Sequence, residues 1–146
     1  MPTPFESALL NLQLFDLRRE ATLREARHWF LLDFNPETFE EFAALVSSDR
    51  NASIRMVLGY WDMAASLVTT GAIDGDAFRA AHTEIVGAFS KIQPFLAQLR
   101  AISGEPDFCK HVERVVLAAP NAEETLARRR EGLRAVAKAR EQGKRP

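Results

Sequence analysis

Apolar residues return every third or fourth position along almost the whole chain, and no stretch sustains the strict alternation of a strand. This pattern predicts an all-α, single-domain bundle of six to seven helices built around a central apolar helix. The first segment, Phe5 to about Leu17, is apolar on most of its circumference (Phe5, Leu9, Leu10, Leu12, Leu14, Phe15, Leu17) and is expected to be buried or to form part of an interface. Thr22 with Glu25 three residues on has the spacing of a capping box, which predicts a second helix from Thr22 to Leu32. No glycine or proline enforces the break, so one long bent helix is the alternative over residues 5–32.

Asn35-Pro36 predicts the start of a third helix, Pro36 to about Ser47, with Phe39, Phe42, Ala43 and Val46 inward. The fourth, about Ala52 to Thr70, is apolar almost all round and is expected at the centre. Its narrow polar or small stripe is Arg55, Gly59, Asp62, Ser66 and Thr69, and Gly71 is placed to stop it. After an Asp74 cap, Phe78, Ile85, Ile92 and Leu99 recur every seven residues with Ala81, Ala88, Phe95 and Ile102 interleaved. This predicts one helix from Phe78 to Ser103, kinked between Ser90 and Pro94 because proline removes a backbone donor. A sixth helix is expected from Glu105-Pro106-Asp107 to about Ala119. Asn121 with Glu124 then opens a seventh, Ala122 to about Glu141, with a frayed tail from Gln142 to Pro146.

Within Val57 to Arg100 the order Tyr60-Trp61, Leu67-Val68, Gly71, Ile73-Asp74, Phe89, Pro94 and Leu99-Arg100 resembles a bacterial domain-of-unknown-function family of small helical proteins. The resemblance rests on core and turn positions. It implies an all-helical fold and a cytoplasmic setting, and brings no activity with it.

Composition narrows the class further. At 146 residues, 47% hydrophobic and 27% charged, residues 1–146 suit one globular domain. The 19 basic and 20 acidic side chains nearly cancel, but residues 122–146 hold eight basic and four acidic ones, so the last helix is a basic element on an acidic body. A lone cysteine, Cys109, excludes an internal disulfide, and with no basic, apolar leader at the start a cytoplasmic location is expected. No run of apolar residues reaches the roughly 18 that a membrane span needs, so no membrane partner is expected.

Candidate chemistry is sparse. Glu25 and His28 form one Glu-x-x-His unit, but a di-iron bundle needs two, and neither His82 nor His111 supplies the second. His82-Thr83-Glu84 and His111-Val112-Glu113 place their side chains on different helix faces. Cys109 near a helix start could be activated by the helix dipole, against the plainer reading of a small buried hydrophobe. The arginines of the last helix alternate with glutamates and lack aromatic neighbours, which argues against nucleic acid as a partner. No metal, cofactor or catalytic residue is expected. The polar stripe of the fourth helix is the strongest site candidate, giving a possible ligand pocket of Arg55, Tyr60, Trp61, Asp62 and His82; the alternative is that the stripe contacts neighbouring helices. Excess apolar surface favours a non-catalytic interaction module that self-associates or meets a protein partner. A small-molecule-binding bundle, its pocket beside the central helix, is the second reading.

Overall fold

A computed structural model describes residues 1–144 and is all-helical among them: α1 (Pro4–Arg18), α2 (Ala21–Leu32), α3 (Phe39–Val46), α4 (Asn51–Thr69), α5 (Gly75–Ala81), α6 (Glu84–Ser103), α7 (Lys110–Leu117) and α8 (Ala122–Gly143). The residue 5–32 segment is two helices. Glu20 ends the doubt, because its carboxylate accepts from the amides of Thr22 and Leu23 (3.0 and 2.9 Å) and starts α2 in place of the expected Thr22 box. Thr3 and Glu6 form a reciprocal capping box on α1, with Pro4 in the first turn.

Among the described residues eight helices replace the expected six to seven because the Phe78–Ser103 helix is broken at His82, whose φ of −127° and ψ of 65° leave the helical region. The seven-residue register crosses the break, so Phe78 and Ile85 both reach the core. Pro94, where the kink was expected, lies inside continuous α6. Proline cannot donate to the Ser90 carbonyl four residues back. The Arg130 Nε of α8 donates to that carbonyl instead, at 2.6 Å.

Two other boundaries shift for identifiable reasons. Asn35 does not cap α3, since its amide donates to Leu32 O and its carbonyl accepts from Lys91 Nζ; Thr38 caps it three residues later. The helix expected from Glu105 begins only at Lys110, after turns and a left-handed Cys109 (φ 58°). Asn121 is likewise left-handed and makes no side-chain cap. Gln142 and Gly143, expected to fray, are helical, whereas Arg145 and Pro146 of that tail lie outside the described residues.

Every helix gives at least one residue to a single core. α4 packs between α2 and α7, and α6 between α8 and α7. The centre is shared, since α6 buries nine residues against seven for α4, where Met56 and Met63 face solvent. Phe30, Phe34, Phe42 and Phe95 run ring to ring at 4.8, 6.1 and 4.9 Å, joining α2, α3 and α6. Such contacts add to the burial of some of the largest side chains in the chain.

Candidate functional site

The five residues expected to share a pocket divide among three places. Tyr60, Trp61 and His82 stay together, with ring centroids 5.0 Å (Tyr60–Trp61) and 6.0 Å (Trp61–His82) apart. They form a closed contact, for Trp61 and His82 are each 1% exposed. α1 supplies the polar lid. Asn11 Oδ1 accepts from His82 Nε2 at 3.1 Å, which assigns the neutral Nε2–H form to the ring, and the Tyr60 hydroxyl donates to Leu14 O. Burial pushes the His82 pKa down to about 4, helped by the Arg18 charge, and pushes Tyr60 up to about 12. His82 Nδ1, Trp61 Nε1 and Arg18 Nε are buried without a partner among the described residues.

Beside this contact lies an ion cluster whose members are far apart in sequence. Glu84, the first residue of α6, pairs with Arg18 Nη1 (3.1 Å) and with Arg27, whose Nε donates at 2.7 Å. Arg27 Nη1 also donates to Arg18 O at 2.9 Å. The side chains are 12 to 17% exposed, so removing one would leave charge stranded in a poorly solvated place. Periodicity carries no trace of a pairing 57 or 66 residues long.

Asp62 points elsewhere. Its Oδ1 accepts from the amides of His111 and Val112, both at 3.0 Å, and so caps α7 from α4. Thr69 Oγ1 lies 2.7 Å from His111 Nδ1. This half of the α4 stripe is therefore a helix-to-helix contact. Cys109, at the turn into α7, is buried, and burial followed by the Asp62 charge pushes its thiol up to about 12, so it is no activated nucleophile at neutral pH.

Arg55 lines a separate apolar cleft of about 360 Å³. Phe42, Ile54, Leu58, Leu99 and Phe108 give it an apolar lining, and Arg55 and Glu105 are its charged members. Arg100 fixes Phe108 by donating to its carbonyl at 2.7 and 3.0 Å. A β-carbon added at Gly59 would meet nothing within 4 Å, so the cleft is open there.

α1 is turned against the usual rule. Ser7, Asn11 and Leu14 face inward, while Phe5 (72% exposed), Leu9, Leu12 (67%) and Phe15 face out. The inward side is held by polar bonds, including Ser7 Oγ accepting from the Asp74 amide at 3.1 Å. Among the described residues no helix is long and apolar enough to cross a membrane.

No curated protein and no solved structure matches the chain. The family match reaches well beyond the Val57–Arg100 stretch on both sides, spanning α1 to the end of α7 and leaving α8 outside. On residues 5–118, the chain belongs to the DUF4760 family, described as a domain of unknown function.

Proposed function

We propose that the protein is a non-catalytic helical-bundle interaction module that pairs with a second copy of itself through the outer face of α1. The observation that carries this reading is the inverted helix: its polar side is spent on the bundle and its apolar side is left in solvent. Phe5, Leu9, Leu12 and Phe15 together leave roughly 500 Å² of apolar surface open, at the upper end of what a monomer ordinarily exposes. Leu9 and Phe15 flank Leu12 at three residues to either side. In an antiparallel pair Leu12 meets its own copy, Leu9 meets Phe15 of the other molecule, and Phe5 meets Arg19, an arrangement that suits a two-fold axis. Burying this face on both copies removes roughly 1,000 Å², which places the dimer among weak interfaces, with a dissociation constant in the micromolar range.

Sedimentation equilibrium across a concentration series tests the reading. The chain should dimerise, and Leu12→Glu should raise the dissociation constant roughly 30-fold or more by setting two carboxylates against each other at the axis. A wild-type chain that stays monomeric at several hundred micromolar, about the top of the expected range, would overturn it, whether the face then served another protein or nothing. The buried free thiol of Cys109 is in keeping with a reducing, cytoplasmic setting.

The second reading, a small-molecule-binding bundle, has one observation in its favour: the apolar cleft at Gly59 and Arg55. It would take an apolar molecule whose charged end meets the charged members of the lining. An anionic naphthalene dye serves as probe. Its fluorescence should rise on binding, and Gly59→Phe, which fills the cleft, should abolish the rise; an equal signal from both chains would remove this reading.

A further inference from the structure

Lys91 is an unusual core residue. It is 5% exposed on α6, and its ammonium donates to Phe34 O and Asn35 Oδ1, both at 2.8 Å. Both acceptors are neutral, and an ammonium has three donors, so one N–H is left over. Two more cations stand beside it from α8, one turn apart: Arg130 and Arg134, both half-buried. Arg130 spends its Nε on Ser90 O and its Nη2 on Gln93, while Arg134 makes only a long 3.4 Å contact to Pro36 O.

Three positive groups in a half-buried place call for negative charge, since an uncompensated buried charge is costly. Among the described residues none of the three pairs with a carboxylate. The acids whose charge reaches Lys91 and Arg130 are committed elsewhere, Asp33 to Arg140 at 3.4 Å and Glu123 to Gln93 at 2.8 and 3.1 Å, while Glu37 and Glu131 line a separate surface recess with Arg134 and pair with none of the three cations. Burial, with the Arg134 charge next, lowers the Lys91 pKa to about 7, and the same two causes lower that of Arg130, as expected of a cluster short of an anion. Between Phe34, Asn35, Pro36, Lys91, Arg130 and Arg134 lies a recess of about 10 Å³. That is the room of about one water-sized particle.

We propose that this recess binds a monatomic anion such as chloride between the Lys91 ammonium and the Arg134 guanidinium, with Arg130 alongside; chloride is larger than water, so the Arg134 side chain, held only by its long contact to Pro36 O, shifts outward to admit it. The ion would supply the missing acceptor for the third Lys91 proton and for the uncommitted nitrogens of Arg134. It would also join the α2–α3 loop, α6 and α8 at one point. An oxyanion of four oxygens is too large to enter whole.

Thermal unfolding of the full chain at pH 7 tests the site, with sodium chloride, bromide or phosphate each titrated against sodium gluconate at constant ionic strength. Chloride and bromide should raise Tm saturably over gluconate. Arg134→Gln, at a half-buried position on α8, should raise the half-saturating chloride concentration roughly ten-fold through loss of a charge-assisted bond. Lys91→Met should remove the response. No halide-specific rise in the wild type, or an unchanged half-saturation in Arg134→Gln, overturns the proposal; a rise with phosphate alone overturns the assignment to a halide.

Discussion

Acidification should weaken this protein through one imidazole. His82 titrates near 4 in the folded chain and near 6.5 when unfolded, because the pocket of Trp61, Phe78 and Asn11 cannot solvate a cation and Arg18 repels one. Between those values the unfolded chain binds the proton and the folded chain does not, so stability rises with pH and is lost as pH falls from about 6.5 towards 4. A difference of about 2.5 units sets the full effect at about 3 kcal/mol, of which about 2 kcal/mol has gone by pH 5. With a urea m-value of about 2 kcal/mol/M for a domain of this size, the midpoint should fall by about 1 M between pH 7.5 and pH 5. Lys91, also depressed, moves stability the same way over part of this range, so the comparison must be with His82→Phe, which keeps Lys91 and loses the imidazole. The variant should show the smaller pH dependence by about 2 kcal/mol, whatever its stability at pH 7.5. Equal shifts in the two chains would refute the account of His82 as a buried neutral ring. Glu6 and Glu20, held below the usual carboxylate range by the backbone amides they accept from, add losses only at still lower pH.

Two further substitutions probe α4. Gly59→Ala should stabilise the chain by about 0.5–1 kcal/mol in urea unfolding, because the position is helical, exposed and free of any neighbour a methyl could strike. Asp62→Ala should cost about 1–2 kcal/mol by leaving the His111 and Val112 amides without their acceptor, and amide exchange should quicken first in α7.

The helices were legible because burial repeats with their period, and the strong local caps, such as Asp74, read correctly. What stayed hidden was tertiary. The heptad register from Phe78 to Leu99 runs through His82 without a fault, so only the backbone turn there separates α5 from α6. Thr22 and Asn35 carry good capping sequences, yet Glu20 and Lys91 reach the relevant groups and move the boundaries. The oily pattern of the first helix calls for cover, but nothing in the placing of Ser7 and Asn11 among its apolar residues marks them as the inward side. Of the residues chosen for a pocket, the aromatic trio was brought together by adjacency on α4 and by His82 across from it. Asp62 and Arg55 sit on the other face of the same helix and were drawn to different neighbours.

The bond from Arg130 to Ser90 O has a consequence for where this protein can be cut. The family match stops at residue 118, and a shortened chain built to that limit would keep Pro94 while losing the guanidinium that answers the carbonyl it leaves idle. It would also strip Leu126 from the core, where that side chain is wholly enclosed. The stretch the family model covers and the stretch that fills this core are thus different lengths of the same polypeptide: the final coil works as a splint, set along a rod that carries a fault in its own ladder.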